Sequence, residues 1–280
     1  MGSYEDAQAV CKLIKSKINC TPRIGIICGS GLGTLAETVK DPVIIKYEEI
    51  KQFPKSTVVG HAGNLVFGKL GGKYVMVMQG RFHQYEGYEM SQVTLPVRVM
   101  KLLGVEYLIV TNAAGGLNPQ YNVGDIVFIK DHINFPSLSG KNPLVGANDN
   151  RFGTRFPSMS NTYKKELREL ARKISNEMNI SSIVHEGIYF ASCGPAYETP
   201  AEARMLRILG ADLAGFSTAH ETMVASHCGL NVFAMSLVTN IVIVEDESPR
   251  ITNHEEVLET SAKRSETLKE LVTRLVTELE

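Results

Sequence analysis

The sequence predicts a single α/β domain, spanning residues 1–280, in which helices flank a central mixed β-sheet. Short apolar runs of strand length alternate with segments of helical periodicity along the chain, which is typical of α/β folds. Gly71-Gly72 separates two adjacent apolar runs and predicts a hairpin, so the sheet should contain antiparallel as well as parallel neighbours. Glycine and proline occur throughout, and no Ser/Gly-rich linker marks a second domain.

The composition argues against two classes of partner. With 29 Lys and Arg residues against 30 Asp and Glu residues, the chain has no basic excess to neutralise a nucleic-acid backbone. The longest apolar stretch, 231–244, is broken by polar side chains and is shorter than the roughly 20 residues that span a membrane. The N-terminus lacks a signal-peptide core, and the five cysteines include no C-x-x-C pair, which predicts reduced thiols and a cytoplasmic location.

Strands are predicted where runs of apolar and β-branched residues end in turn-forming residues. These runs are 23–28, 65–70, 74–78, 105–111, 125–130, 183–192 and 232–238. Between 131 and 159 the chain is rich in proline and shows no clear element. An irregular run of that length in a compact domain is usually functional or disordered.

Helices are predicted from capping residues and apolar stripes. Ser3, followed three residues later by Asp6, forms a capping box for the first helix, and Asn253 can cap the last one. Pro200 suits the first position of a helix that continues to 209, whereas Pro96 predicts a kink or a later start within 90–103. A further helix is predicted over 160–178.

Two segments that follow predicted strands carry groups suited to an anion. The glycine loop CGSGLG, residues 28–33, lets backbone amides and the Ser30 hydroxyl approach a phosphate, but a tight structural turn explains it equally well. In QGRFHQYEGY, Arg81, His83 and Tyr85 alternate, so an extended chain directs all three to one side. They suit a phosphate beside a sugar, or an exposed polar strand end. His61, between glycines, indicates only a loop.

Three further segments place polar groups at strand ends, where open α/β sheets bind ligands. VTNAAGG, residues 110–116, permits close backbone approach or simply forms a turn. Glu198 stands before the helix that Pro200 begins, where a carboxylate also serves as a cap. GFST, 215–218, and SLVTN, 236–240, end apolar runs, where polar residues are also common as turn formers. No histidine pair has metal-ligand spacing and no G-x-S-x-G elbow is present, which predicts neither a metal nor a serine nucleophile.

Together the motifs resemble those of a known family. GSGLG, GHAGNL, MQGRFHQYEGY, VTNAAGGLNP, DHINF, NDNRFGTRFPSMS, GPAYETPAEAR, LVTN and NHEEV occur in this order, and the chain from about Arg23 onward is similar to the trimeric, low-molecular-mass purine nucleoside phosphorylases. The resemblance implies the nucleoside phosphorylase fold, a homotrimer, and reversible phosphorolysis of purine (deoxy)ribonucleosides to the free base and (deoxy)ribose 1-phosphate. It also implies that no metal or organic cofactor is used and that inorganic phosphate is a co-substrate.

The resemblance also implies roles for individual residues. His83, Glu198 and Asn240 are the catalytic candidates. The phosphate-binding candidates are Ser30, His61, Arg81, His83, Ala113 and Ser217. The nucleoside-binding candidates are Tyr85, Phe156, Tyr197, Glu198, Phe216, Thr239, Asn240 and His254, with Phe156 reaching the sugar pocket of a neighbouring subunit. Glu198 as a hydrogen-bond acceptor predicts a preference for 6-oxopurines, which carry an N1–H donor.

Several positions depart from the family pattern. Phe216 stands where members usually have Met, Ala214 where they often have Val, and Ala219-His220 where they have Val-Pro. A rigid ring beside the sugar and a smaller side chain beside the base predict altered or broadened base selectivity, extending to a pyrimidine nucleoside such as cytidine.

Three other interpretations remain at this point. A methylthioadenosine-type phosphorylase usually has Asp at the position of Asn240. A weakly active nucleoside-binding paralogue is compatible with the altered pocket, although the polar residues are intact. A nicotinamide-dependent oxidoreductase is disfavoured by the glycine spacing after Gly29.

Overall fold

The computed structural model describes residues 2–249 and 253–279 and contains one nine-stranded mixed sheet. The strands are β1 (Ile24–Cys28), β2 (Lys40–Lys46), β3 (Asn64–Leu70), β4 (Lys73–Gln79), β5 (Tyr107–Gly116), β6 (Ile126–Asn134), β7 (Val184–Ala191), β8 (Leu213–Gly215) and β9 (Asn231–Ile241). Their order is β2-β3-β4-β1-β5-β8-β7-β6-β9. Because β5 also pairs with β9, the last five strands close into a ring. The predicted α/β class with a mixed sheet is confirmed.

Eight α-helices pack around this sheet in the described ranges. They are α1 (Tyr4–Lys15), α2 (Met90–Val93), α3 (Leu95–Leu103), α4 (Phe135–Leu138), α5 (Lys165–Glu177), α6 (Pro200–Ile208), α7 (Ala219–His227) and α8 (His254–Glu278). The predicted caps are confirmed, since Ser3 and Asp6 form the capping box of α1 and the Asn253 side chain accepts from Glu256 N–H. A break at Thr94 separates α2 from α3, as the proline two residues later predicts.

The core lies on both faces of the sheet. Along β1, Ile27 packs into one apolar cluster, whereas Ile26 and Cys28 pack into another on the opposite face. All five residues of β1 are buried, as expected for a central strand whose two faces are both covered. This burial fixes the ends of β1, β4, β5 and β9, from which the polar loops emerge.

Some boundaries differ from the sequence-based prediction. β5 continues through its glycines to Gly116, because Gly115 and Gly116 pair with Ala214 and Leu213 of β8. The long proline-rich run begins with the end of β6 and the short helix α4. Helix α5 starts at Lys165 and not at 160, since Tyr163 forms a bridge with Val232 and Lys164 N–H donates to the Val232 carbonyl.

Four elements were not predicted at all: β2, α4, β8 and α7. β8 has only three residues, too few to show a period. α7 is buried on almost every side, so it lacks the polar face from which helices are recognised. No helix in the described part of the chain combines the length and apolarity needed to cross a membrane. All five cysteines are free thiols.

Candidate active site

A cavity of about 330 Å³ lies where the ends of β1, β4, β5, β8 and β9 meet. Most of the predicted site residues line it: Ser30, Arg81, His83, Tyr85, Ala113, Tyr197, Glu198, Phe216, Ser217, Thr239, Asn240 and His254. They come from loops and strand ends that are far apart in sequence, and the sheet brings them together. His61 and Phe156 are the two predicted residues that do not line this cavity.

Arg81 is held rigidly at one end of the cavity. Its Nε and Nη2 donate to the two carboxylate oxygens of Glu221 at 3.0 Å each, and Nη1 donates to the Thr111 carbonyl at 2.8 Å. Both partners of this ion pair are almost completely buried. A guanidinium has five N–H donors, so these three bonds leave one N–H on each Nη atom for a ligand.

Gly29 gives Arg81 the space it needs. A Cβ atom at this position would lie 2.8 Å from Arg81 Nη1, and equally close to the Thr111 carbonyl oxygen and the Asn112 Cα atom. Such contacts are too short for any side chain, so the glycine loop after β1 can pack against the guanidinium only without one. The first glycine of GSGLG is therefore explained by packing around the anion-binding group.

Two histidines stand beside Arg81 in a run of stacked rings. The His61 and His83 ring centroids are 5.3 Å apart, and those of His83 and Tyr85 are 4.6 Å apart at nearly parallel planes. His61 Nε2 lies 3.3 Å from Ser30 Oγ, so His61 reaches the cavity through that hydroxyl. Burial lowers the pKa of His61 to about 4 and also lowers the pKa of His83. Both rings are therefore neutral near pH 7.

The loop between β8 and α7 is strained where it meets the cavity. Thr218 has φ 64° and ψ −57°, a positive-φ conformation that is unfavourable for a β-branched residue. Ala219 N–H donates to the Ser217 carbonyl at 2.6 Å, which makes this a γ-turn. The turn directs Ser217 towards Arg81's end of the cavity, and buried Tyr189 accepts the Ser217 amide N–H at 3.2 Å.

The other end of the cavity carries a carboxylate and an amide. Burial raises the pKa of Glu198, and Ser192 Oγ donates to its Oε1 at 3.4 Å. Thr239 Oγ1 lies 3.2 Å from Asn240 Oδ1 and 3.4 Å from the Ala114 carbonyl oxygen, and donation to Oδ1 leaves the Asn240 NH₂ group available as a donor. Gly115 lies against that amide: a Cβ there would come within 3.3 Å of Asn240 Nδ2.

Phe216 forms the wall between the two ends. Its ring meets Tyr85 edge-on, with centroids 6.1 Å apart, and lies 5.8 Å from the Tyr197 ring. A Cβ at Gly194 would lie 3.0 Å from Phe216 Cγ. Packing on three sides therefore holds the ring in place. Ala214 lines the same cavity from β8.

Phe156 lies outside the cavity, and its side chain is 86% exposed. Within one chain, the structure does not bring it to the site. A role in nucleoside binding, as predicted, requires a second subunit.

Sequence reasoning missed several residues that build the site. Glu221 orients Arg81, Tyr189 fixes Ser217, and Asn112 lines the cavity from β5. Asn112 stood within the VTNAAGG motif, so its position at a strand end was an available signal. Glu221 looked like an ordinary acidic residue, because nothing local connects it to an arginine 140 positions away.

Comparison with known proteins bears on these assignments. The model of the Phosphorylase superfamily matches residues 23–277. The chain is 51% identical to the purine nucleoside phosphorylase of Bos taurus, covering 98% of this chain and 95% of that one. It is 50% identical to purine nucleoside phosphorylase 1 of Bacillus subtilis (strain 168), covering 95% and 96%.

Solved structures of Schistosoma mansoni purine nucleoside phosphorylases superpose closely on the chain. The adenosine complex (50% identity; 100% of this chain and 99% of that chain covered) and the inosine complex (49%; 100% and 98%) each give a TM-score of 0.96. The complex of isoform 2 with cytosine and ribose-1-phosphate also gives 0.96, at 48% identity and 100% and 98% coverage.

Proposed function

The chain belongs to the purine nucleoside phosphorylases of the phosphorylase superfamily, and from that premise we propose that it catalyses the reversible phosphorolysis of purine ribonucleosides and deoxyribonucleosides. The products are the free base and ribose or deoxyribose 1-phosphate. One observation carries the proposal: a single cavity has anion donors at one end and a carboxylate with an amide at the other.

The anion end suits the phosphate co-substrate. Arg81 has two N–H groups to spare, Ser30 and Ser217 add hydroxyls, and the backbone at Ala113 lines the same wall. His83 completes this set, with His61 behind Ser30. Because Glu221 and Thr111 already fix the Arg81 guanidinium, phosphate binding costs little side-chain entropy there.

The base end suits a purine leaving group. Breaking the glycosidic bond places positive charge on the sugar and negative charge on the departing base. Phosphate, held below the sugar, stabilises the first charge and then attacks the anomeric carbon. The Asn240 NH₂ group donates to N7 of the base and stabilises the second, while Tyr197 stacks on the ring. Tyr85 and His254 bind sugar hydroxyls, and Thr239 orients Asn240.

Glu198 favours 6-oxopurines in this proposal. A carboxylate accepts the N1–H of inosine or guanosine, whereas adenosine presents an N1 lone pair to it. Burial raises the pKa of Glu198, and the same burial makes it costly for the carboxylate to face the adenosine N1 lone pair without a hydrogen bond. The inosine complex of the S. mansoni enzyme supports a 6-oxopurine substrate. Because that enzyme also has an adenosine complex, the preference is decided by the ratio of kcat/KM for inosine to kcat/KM for adenosine.

Phe216 and Ala214 broaden the base range. The fixed Phe216 ring narrows the cavity beside the sugar, and Ala214 leaves more room beside the base. A cytosine complex of the related S. mansoni isoform 2 supports testing cytidine as a substrate.

The proposal extends to assembly and location. A homotrimer gives the exposed Phe156 a place in a neighbouring sugar pocket. Five free thiols are in keeping with a reducing cytoplasm.

A base-release assay tests the proposed activity. Inosine, guanosine, adenosine, cytidine and uridine are each incubated with the enzyme, with and without inorganic phosphate. Phosphate-dependent release of hypoxanthine and guanine is the expected result. Tight nucleoside binding without any release would favour the nucleoside-binding paralogue instead.

A further inference from the structure

Asn112 lines the cavity but has no role in the proposed reaction. It lies in β5 and is 1% exposed. Its Nδ2 donates to Thr218 Oγ1 at 2.9 Å, which links β5 to the strained turn after β8. The same Thr218 oxygen lies 3.2 Å from Ser217 Oγ, so the three side chains form one hydrogen-bonded chain that ends at the cavity.

The direction of this chain follows from its donors. An amide N–H only donates, so Thr218 Oγ1 must accept from Asn112. Thr218 is fully buried, and in the described residues its hydroxyl contacts only these two side chains. Its proton must therefore go to Ser217 Oγ. If Ser217 donated to Thr218 instead, the Thr218 hydroxyl proton would be buried without an acceptor.

The orientation of the Asn112 amide is the less costly of the two. As placed, it leaves an acceptor, Oδ1, and one of the two Nδ2 hydrogens without a partner among the described residues. Turned around, it would leave two N–H donors unsatisfied in the same buried position, and orphaned donors are the rarer case in proteins.

We propose that Asn112 is a positioning residue, which sets the direction of the Asn112–Thr218–Ser217 chain so that Ser217 keeps its hydroxyl proton for the anion in the cavity. Tyr189 already takes the Ser217 amide N–H, so the hydroxyl is the donor that Ser217 has left. Phosphate oxygens accept hydrogen bonds, and a reversed chain would direct a Ser217 lone pair at them. This inference rests on the proposed phosphate subsite.

Asn112→Asp reverses the chain without changing its shape. The carboxylate only accepts, so Thr218 donates to it, and Ser217 can then bond to Thr218 only as the donor. The new charge also repels phosphate. A second substitution separates this repulsion from the effect of reversing the hydrogen-bonded chain. Adding Thr218→Val keeps the branched side chain but cuts the chain, so Ser217 is free to donate again. Adding Thr218→Ser keeps the hydroxyl and serves as the matched control.

Equilibrium dialysis with radiolabelled inorganic phosphate, on the whole enzyme, measures the result. We expect Asn112→Asp to weaken phosphate binding by about ten- to a hundredfold, the effect of losing one hydrogen bond to a charged group. The added Thr218→Val should recover about tenfold, whereas Thr218→Ser should recover none. Hypoxanthine binding, measured alongside, should stay within about threefold in every variant that folds.

Equal phosphate affinity in the Val and Ser double variants would overturn the inference, because it would leave charge alone as the cause. An equal loss of hypoxanthine binding would do the same, since it would indicate general damage to the site. If the unmodified enzyme failed to bind phosphate, the proposed phosphate subsite would be wrong, and this inference would be wrong with it.

Discussion

Arg81 owes its placement to Glu221, which does not itself line the cavity. A buried ion pair contributes little net stability, but breaking it by removing one partner leaves an uncompensated charge. The pair therefore serves mainly to aim the guanidinium. At the other end, Thr239 aims the Asn240 amide in the same way. Both groups are oriented before any ligand arrives, which is the condition for stabilising charge that develops only in the transition state.

This arrangement predicts that two substitutions separate the effect of Arg81 on phosphate affinity from its effect on stability. Arg81→Ala should raise the phosphate requirement about tenfold or more, and should lower the free energy of unfolding by about 3–5 kcal/mol because Glu221 is left unpaired. Adding Glu221→Gln should restore part of the stability and none of the phosphate affinity. Urea unfolding and the phosphate KM measure the two quantities. A phosphate KM that recovered together with stability would show that Arg81 acts only on the fold.

Glu198 predicts the ratio of two substrates. We expect kcat/KM for inosine to exceed that for adenosine by a factor on the order of 10⁴, because the half-buried Glu198 carboxylate has no donor to pair with adenosine N1. Glu198→Gln supplies an NH₂ group as well as an oxygen, so it should reduce the ratio sharply. Steady-state kinetics on both nucleosides check this. Comparable values in the unmodified enzyme would rule out this role for Glu198.

Helix α7 combines structural and functional demands within nine residues. The turn that precedes it presents Ser217 to the cavity, and Glu221 in the helix binds Arg81. His220 is buried, and neither of its ring nitrogens has a partner in the described structure. The family usually has proline at the position of His220, which lacks such groups. This buried imidazole is therefore a cost to stability.

His220 predicts a dependence of stability on pH. Burial lowers its folded pKa to about 4, while the unfolded value is about 6.5. Between these values the unfolded chain binds the extra proton, so stability falls as pH falls from 6.5 to 4. At pH 5 this amounts to about 2 kcal/mol. His220→Leu should therefore unfold at higher urea concentration, with a larger gain at pH 5 than at pH 7. An equal gain at both pH values would contradict the buried, neutral imidazole.

The segment from β8 to Phe216 predicts selectivity. The double substitution Phe216→Met and Ala214→Val restores the usual family residues. We expect it to raise kcat/KM for inosine and to lower the relative rate on cytidine, each by about tenfold, the effect of a small change of volume in a pocket. Assays on inosine, adenosine and cytidine measure this. Unchanged ratios would show that neither position sets the base range.

The elements predicted from sequence are those with local signals. Ser3 and Asn253 mark helix starts, and Gly71-Gly72 marks a hairpin, because capping and turn chemistry act within a few residues. β8 and α7 carry no such signal. The contact of Arg81 with Glu221, and that of Asn112 with Thr218, join positions more than 100 residues apart. Only the closed sheet creates those contacts, so no local pattern could predict them.

The whole molecule leaves several large apolar side chains in solvent. Phe156 and Ile208 are each 86% exposed, and Leu138 is 76% exposed. Exposed apolar groups of this size are typical of association surfaces when they cluster. In the proposed homotrimer, the Phe156 of a neighbour would lie at each cavity.

Phe156 predicts a link between assembly and substrate use. Light scattering should report a trimer. Phe156→Ala should preserve that trimer, because a single truncation removes little of a large interface, and should raise the KM for inosine. Ile208→Ala is the matched control: Ile208 is equally exposed but is not proposed to reach a neighbouring sugar pocket, so the KM of this variant for inosine should not change. A fully active monomer would contradict both the assembly and the role of Phe156.

The central claim is that phosphate, and not water, takes the sugar from the base. Phosphorus-31 NMR of the unmodified enzyme with inosine and inorganic phosphate tests it most directly. The account predicts one ribose 1-phosphate formed for each hypoxanthine released, and no hypoxanthine without phosphate. Hypoxanthine and free ribose appearing while phosphate remains unconsumed would contradict it.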